Sequence, residues 1–232
     1  MSQLPGRCMT TMIIIAHIEN AYTEKFGVPR QSGRVQSILS RILFEPEYRN
    51  PSAFRGLTDF SHLWLIWEFS EARRSSWSAT VRPPRLGGNE RLGVFATRSP
   101  FRPNPIGLSC VKLERLDFDE KNGPVLTVSG ADLMNGTPIY DIKPYLPYTD
   151  SHPEAAGGFT DHLEEHLLQV ILPAHLAGAL SPELITPLKE VLAQDPRPRY
   201  QDDPERVYGM TFAGHNVRFK VSSGILTVCD IL

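Results

Sequence analysis

Short apolar segments separated by turn residues dominate the first 150 residues of the chain. The segment 10–19 is rich in β-branched side chains, and the continuous bulky run at 62–69 indicates a strand buried on both faces. No helical pattern lies between the later segments, and turn signals such as Asn122-Gly123 separate them. The pattern predicts an antiparallel barrel or sandwich, with further strands at 42–44, 91–96, 106–118 and 124–131.

The pattern changes after residue 150, where SHPEAAGG has the composition of a linker. Two amphipathic segments, 160–172 and 182–192, predict helices. The second helix has Ser181 in position to cap it and Pro182 in its first turn. Three more strands are predicted at 206–212, 215–221 and 224–229.

The sequence therefore predicts a mainly β protein in two parts. An antiparallel β-barrel is expected over 1–150, and a small α+β domain over 151–232. The 232 residues can bury a substantial core, and 41% of them are hydrophobic, as in globular proteins.

Composition places the protein in the cytoplasm, away from membranes. No apolar run approaches the ~18 residues of a membrane span. The apolar segment 12–18 is short and lacks a small-residue cleavage pattern, so we interpret it as a strand rather than a signal peptide. Three widely spaced cysteines, Cys8, Cys110 and Cys229, give no disulfide framework and suit a reducing compartment.

The net charge of −2 conceals a local basic run. Between residues 73 and 102 there are seven arginines and a single acid, Glu90. Arginine pairs with phosphate and stacks on bases, so this run favours a nucleic-acid surface. The alternative, arginines spread over several faces, stays open.

The segment 93–109, GVFATRSPFRPNPIGLS, has the features of a built site. Its three prolines fix their own φ near ~−65° and lack an N–H, so it cannot be an inner strand or a helix interior. Arg98, Arg102 and Asn104 therefore stand on a stiffened loop that suits anionic or nucleobase groups. A surface turn with solvated arginines is the alternative.

Two further segments carry candidate chemistry. In YTEKFGVPRQSGR, Gly33 permits close approach of the backbone to a ligand. In NGTPIYDIKPYLPY, Asp141 and Lys143 lie two apart and share one face of an extended chain, with Tyr140 and Tyr145 nearby. A structural salt bridge between Asp141 and Lys143 is the alternative to a reactive pair.

Several familiar sites are excluded. The chain contains no G-x-G-x-x-G, no G-K-[ST] and no C-x-x-C, which removes support for a Rossmann nucleotide site, a P-loop and structural zinc. The segment 162–166, HLEEH, fits the inverted zinc-protease pattern, but it lies in an acidic segment with no further ligand. We predict no metal site.

These motifs resemble the TsaA-like (TrmO) family of S-adenosylmethionine-dependent tRNA methyltransferases. The resemblance rests on 93–109 and, in the same order along the chain, on 22–33, 56–69, 80–89, 135–148 and 193–200. It covers nearly the whole sequence. It implies a β-barrel enzyme, working as a homodimer, that methylates N6 of threonylcarbamoyl-adenosine next to the anticodon of tRNA.

The resemblance also implies a donor site. This chain departs from the family pattern at Ser32, where relatives often carry proline, and at Ser70-Glu71, where an acid or histidine followed by glutamine is usual. The cofactor-binding residues expected by resemblance are Gln31, Ser32, Gly33, Arg34, Ser70, Glu71, Arg98, Cys110, Pro138, Ile139, Tyr140 and Asp141.

Methyl transfer depends largely on holding nucleophile and methyl group in line, which rigid loops can do. N6 must lose a proton, so Asp141 is the expected base or orienting group, with Lys143 and Tyr145 steadying the carbamoyl or threonyl group. Arg98 is expected to bind a carboxylate or phosphate. The expected RNA contacts are Arg82, Arg85, Arg102, Arg197 and Arg199.

Two other readings of the sequence stay open: a non-catalytic RNA- or nucleotide-binding module, and a structural interaction protein. Binding of S-adenosylmethionine separates the enzyme from both. The sequence leaves undecided which tRNA is modified, whether the threonylcarbamoyl group is required, which group accepts the proton and which loops cross a dimer interface.

Overall fold

Six antiparallel strands close into a barrel in the computed structural model, which describes residues 12–72, 76–83, 90–161, 167–197 and 203–232. The barrel strands are β1 (Ala16–Glu19), β2 (Leu39–Phe44), β3 (His62–Glu68), β6 (Ile106–Asp119), β7 (Gly123–Ser129) and β8 (Pro138–Pro144). Around the barrel they follow the order β1-β2-β7-β6-β3-β8, and each neighbouring pair is antiparallel. Closure leaves this sheet without a free edge.

The barrel confirms the predicted fold class and most of its strands. The expected strand at 91–96 is an exception, because it divides into a two-residue strand and a 3₁₀ helix. This strand, β5 (Leu92–Gly93), pairs with β4 (Thr80–Val81) outside the barrel. Other 3₁₀ helices in the described residues are Pro46–Tyr48, Pro51–Phe54, Leu57–Asp59, Ser70–Ala72 and Gly158–Thr160.

Strand β3 shows how the apolar run is used. Leu63, Leu65 and Trp67 are buried in the barrel core. Trp64 and Ile66 alternate with them on the outer face of the barrel and are only partly buried. The prediction that this strand is buried on both faces is therefore wrong for the outer face.

Gly107 on β6 makes the position of Trp67 possible. A Cβ at residue 107 would lie 2.1 Å from Cε2 of the Trp67 ring. The ring therefore lies directly over the glycine, and no other residue fits there without displacing it.

The C-terminal part contains a four-stranded sheet of order β10-β11-β12-β9. Its members are β9 (Gln169–Ile171), β10 (Tyr208–Phe212), β11 (His215–Ser222) and β12 (Ile225–Ile231). The helices are α1 (Pro147–Asp150), α2 (Ala174–Ala177) and α3 (Pro182–Ala193). Helix α3 confirms the predicted helix at 182–192, with Ser181 at the N-cap and Pro182 at the first position. No described helix is long and apolar enough to cross a membrane.

The predicted helix at 160–172 is wrong where the structure describes its C-terminal end. Strand β9 lies there, parallel to β12, while 162–166 fall outside the described residues. Leu168, Val170 and Leu172 pack on the core, whereas Gln169 and Ile171 are exposed. This period of two matches a strand at a sheet edge.

The segment between β1 and β2 belongs to the C-terminal core. Tyr22, Val35 and Ile38 are buried together with residues of α3 and the C-terminal sheet. Glu190 on α3 accepts hydrogen bonds from the backbone N–H groups of Gln36 at 3.0 Å and Ser37 at 3.2 Å. The predicted C-terminal domain thus shares its core with a loop of the N-terminal part.

Replacing Gly107 by alanine is expected to lower the free energy of unfolding by about 1–3 kcal/mol, because the added methyl group overlaps the buried Trp67 ring. Chemical denaturation monitored by tryptophan fluorescence measures this change. Gly93→Ala is the matched control, since its φ is −57° and a Cβ there meets nothing within 4 Å. Equal stability of the two variants would contradict the close approach.

Candidate active site

A cleft of about 1710 Å³ opens where one end of the barrel, the proline-stiffened loop and helix α3 meet. Three continuous stretches of chain, 25–31, 67–72 and 95–102, supply much of its walls, and Val191 of α3 and residues 194–196 line it from the C-terminal part. Asp132, Met134 and Thr137, from the connection between β7 and β8, line it as well. Both parts of the molecule therefore contribute to one cavity.

The proline-stiffened loop is anchored to its neighbours at several points. The N–H of Phe69 donates to the carbonyl of Pro105 at 2.9 Å, and the N–H of Ser78 donates to that of Phe101 at 3.1 Å. Within the loop, Arg102 Nη1 donates to the carbonyl of Thr97 at 3.1 Å. These bonds hold the loop conformation that its prolines favour.

Arg98 links two of the predicted segments across the cleft. Its Nη1 donates to Oε1 of Gln31 at 2.6 Å, and both residues line the cavity with Arg34. Ser70 and Glu71, at the end of β3, line it as well. Five of the residues expected to bind the donor are thus brought together.

Gly33 makes a close backbone contact, but its partner is another glycine rather than a ligand. Its N–H donates to the carbonyl of Gly130 at 2.8 Å, and both residues have a φ of +78°. A Cβ at Gly130 would lie 3.3 Å from Gly33. Ser32, next to this contact, lies near Asp132, and its backbone N–H acts to lower the pKa of the Asp132 carboxyl.

Asp132 ends a hydrogen-bond chain that begins inside the barrel. Trp67 Nε1 donates to Oγ of Ser109 at 2.9 Å, and the Ser109 hydroxyl donates to the Asp132 carboxylate. Burial raises the pKa of Asp132, although the Ser109 hydrogen bond and the Arg98 charge oppose the shift. A carboxylate with a raised pKa is a stronger base than a solvated one, so its position in the cleft makes Asp132 a candidate proton acceptor.

Tyr140 reaches the cleft through Glu68. Its hydroxyl donates to Oε2 of Glu68, a carboxylate that is only 4% exposed and lines the cavity. The predicted neighbours of Tyr140 lie elsewhere: Pro138 and Ile139 are buried, Ile139 within the barrel core.

The predicted catalytic pair lies on the outer face of the barrel. Asp141 Oδ2 and Lys143 Nζ are 2.9 Å apart, which confirms their shared face and matches the salt-bridge alternative. The Asp141 carboxylate raises the pKa of Lys143. Tyr145 packs near Trp64 at a ring distance of 5.7 Å, and all three predicted residues lie outside the cleft lining.

Cys110 lies on this outer face too. It pairs with Trp64 in the register between β3 and β6. Burial and the nearby Asp150 carboxylate raise the pKa of its thiol. Of the residues expected from family resemblance, Gln31, Arg34, Ser70, Glu71 and Arg98 therefore line the cleft, whereas Cys110 and Asp141 lie on the outer barrel face.

The sequence profile of the tRNA-methyltransferase O N-terminal domain matches residues 17–151, and that of the TrmO C-terminal domain matches residues 163–232. The chain belongs to the TrmO family. Its sequence is 42% identical over 216 residues to tRNA (adenine(37)-N6)-methyltransferase of Escherichia coli K12, covering 90% of this chain and 92% of the relative.

Two further TrmO-like proteins extend the comparison. A Pseudomonas aeruginosa relative, whose name describes an S-adenosylmethionine-dependent methyltransferase, is 40% identical over 203 residues, covering 84% of this chain and 86% of its own. The crystal structure of TrmO from Pseudomonas aeruginosa superposes with a TM-score of 0.77 at 29% identity, covering 97% of this chain and 99% of that one.

The arginines expected to contact RNA in this TrmO-family chain also lie in different places. Arg82 and Arg102 line the cleft, and so does Arg91. Arg197 is only 12% exposed and pairs with Asp195 at 2.8 Å, which leaves it little surface for RNA. Arg85 and Arg199 lie outside the described residues.

Asp132 and Glu68 are the cleft carboxylates that the sequence reasoning missed. In the sequence, Asp132 is marked only by its place two residues after Gly130, a glycine that follows the predicted apolar strand. No three His, Cys, Asp or Glu side chains of the described ranges converge on a possible metal position, and the pattern at 162–166 lies outside those ranges.

The raised pKa of Asp132 gives a pH-dependent contribution to stability. The folded state holds the proton to higher pH than the unfolded state, so this contribution falls as pH rises from about 3.9, the ordinary aspartate value, to the raised folded value. Asp132→Asn removes this dependence. We expect the unfolding free energy of the variant, relative to wild type, to increase with pH across this window.

Denaturant titrations at a series of acid pH values measure the effect. Asp119→Asn is the control in which the change in unfolding free energy with pH should have the opposite sign. The backbone N–H groups of Asn122 and Lys121 lower the pKa of Asp119 instead of raising it. A difference between Asp132→Asn and wild type that stays constant with pH would contradict the assigned shift.

Proposed function

We propose that this protein transfers a methyl group from S-adenosylmethionine to N6 of adenosine 37 in tRNA, the position in the name of its Escherichia coli relative. By family resemblance, the acceptor carries a threonylcarbamoyl group. The observation that supports the proposal is the convergence of family-matched segments on one cleft, which Ser70 lines together with the hydrogen-bonded pair Gln31 and Arg98. The cavity exceeds the roughly 300–1,000 Å³ of a single small-ligand site, which leaves room for a donor and a nucleotide.

The cleft residues fit the donor. S-adenosylmethionine supplies an electrophilic methyl group on a sulfonium centre when it is bound. Arg98 and Arg34 offer guanidinium groups for its carboxylate, and the carboxylate of Glu71 suits its ammonium group. The Gln31 bond to Arg98 and the stiffened loop around Arg102 fix these groups before binding, which lowers the entropy lost in aligning the reactants.

Two carboxylates are candidates to accept the N6 proton. Asp132 lies in the cleft with a raised pKa, and we assign it as the acceptor within one subunit. Asp141 remains the candidate proposed from the sequence. Because it lies on the outer barrel face in an ion pair with Lys143, it needs a cleft supplied by a second subunit.

A homodimer through the outer barrel face gives Asp141 such a neighbour. Ile106 and Leu108 of β6 are 37% and 52% exposed and lie at the rim of the cleft. They continue into the partly buried Cys110 on the same face. Exposed apolar residues in a contiguous row are typical of association surfaces.

The anticodon loop of tRNA is the proposed partner, because its bases are unpaired and its target base is accessible at low energetic cost. Arg82, Arg91 and Arg102 at the cleft supply positive charge for its phosphates. We place the reaction in the cytoplasm, which the free thiols of Cys110 and Cys229 suit.

Incubation with labelled S-adenosylmethionine and bulk tRNA tests the proposed function. We expect nucleoside mass spectrometry to find label in N6-methylated threonylcarbamoyl-adenosine, and only with tRNA from cells that make the threonylcarbamoyl modification. Equal labelling of both tRNA pools would remove the modification requirement. Donor binding without any labelled nucleoside would favour the binding-module alternative.

The two acceptor candidates are separated by one pair of variants. Asp132→Asn keeps a side-chain acceptor for Ser109 but loses the basic carboxylate, so we expect single-turnover methyl transfer to slow about 10²–10⁴-fold. Asp141→Asn is expected to retain turnover close to wild type. The opposite ranking would assign the proton to Asp141.

Leu108→Glu tests the proposed dimer. A charge in the apolar face is expected to shift the protein from dimer to monomer in analytical ultracentrifugation. Leu39→Glu is the matched control, since Leu39 is 57% exposed on β2 and lies outside the cleft lining. A monomeric wild type, or a Leu108→Glu dimer of undiminished affinity, would contradict this interface.

A further inference from the structure

Two aromatic rings stand exposed beside the cleft without any role in the core. Trp77 is 51% exposed and Phe95 is 73% exposed. Their rings stack on each other with centroids 6.2 Å apart and planes inclined by 25°. Phe95 lines the cleft. Large aromatic surfaces left in water beside a cleft point to a binding role.

The two rings are carried by backbone segments that are tied together. The N–H of Val94 donates to the carbonyl of Ala79 at 3.0 Å, and the Val94 side chain is 1% exposed. Strand β4, which follows Trp77, pairs with β5, which precedes Phe95, and the N–H of Ser78 donates a hydrogen bond to the carbonyl of Phe101. The aromatic pair is therefore held in place before any ligand arrives.

Three arginines line the cleft beside which the pair lies. Arg91 Nε donates to Oγ1 of Thr80 at 2.9 Å, which fixes this arginine beside the strand that follows Trp77. Arg82 and Arg102 line the same cleft as Phe95. Aromatic faces among arginines are the arrangement with which proteins bind unpaired bases, because the rings stack on bases and the cations neutralise phosphates.

We propose that Trp77 and Phe95 form a stacking platform for an unpaired nucleobase next to the methylated one. This inference rests on the proposed function and adds to it a site of RNA recognition. The platform favours a splayed loop over a duplex, because only an unpaired base exposes its face to the rings. It is sequence-tolerant, since every base has a π-face.

Alanine substitution of each ring tests the platform. Phe95→Ala and Trp77→Ala are each expected to raise KM for tRNA about tenfold, with kcat changed less and the affinity for S-adenosylhomocysteine unchanged. Trp77→Phe keeps a stacking face and is expected to restore KM most of the way to wild type. Phe118→Ala is the matched control, because Phe118 is 58% exposed and lies outside the cleft lining.

Fluorescence polarisation with an anticodon stem-loop RNA and with a blunt-ended RNA duplex gives a readout that does not depend on methylation. The alanine variants are expected to lose affinity for the stem-loop and to bind the duplex as wild type does. A KM equal to that of Phe118→Ala, or weaker donor binding with unchanged stem-loop affinity, would overturn the platform. Wild-type stem-loop binding without methylation would instead contradict the proposed function alone.

Discussion

The carboxylate of Asp132 is the point at which the barrel, the site loop and the cleft are joined. It accepts a hydrogen bond from the Ser109 hydroxyl, which in turn accepts one from the Trp67 indole N–H, and the nearby backbone N–H of Ser32 acts to lower its pKa. This series of hydrogen bonds requires a glycine at residue 107, because the Trp67 ring occupies the space that a side chain would fill there. One partly buried acid thus links a core aromatic ring to the cleft wall, and burial raises its pKa despite the hydrogen bond from Ser109.

The C-terminal part supports the same loop from the other side. Val35 and Ile38 are buried in its core, and Glu190 accepts the N–H groups of Gln36 and Ser37. The loop that carries Gln31 and Arg34 is therefore held between the barrel and helix α3. This explains physically why a small α+β unit accompanies the barrel: it completes the cleft and fixes one of its walls. The bond from Arg98 to Gln31 then extends that rigidity to the proline-stiffened loop.

Local sequence patterns predicted most of the described strands and helix α3. The placement of the site residues depends on non-local contacts, which such patterns do not contain. The strands β3, β6 and β7 follow from β-branched and bulky runs between turn residues, and helix α3 follows from its amphipathic pattern and Pro182. The end of the segment 160–172 was misjudged, because apolar residues two apart can suit either period over so few positions. Asp141 and Lys143 were correctly placed on one face, but their sequence carries no sign that the face points away from the cleft. Asp132 was missed because its chemistry comes from Ser109 and Trp67, which other strands supply.

Hydrogen exchange with and without S-adenosylhomocysteine tests most directly whether the cleft is the donor site. We expect slower exchange in residues 30–31, 34, 69–72 and 97–102, which line the cleft. We also expect little change on the barrel face that bears Asp141, beyond what a shared dimer interface transmits. Protection confined to 138–145, with unchanged exchange in the Gln31 and Arg98 segments, would contradict this expectation and would move the donor to the outer face of the barrel.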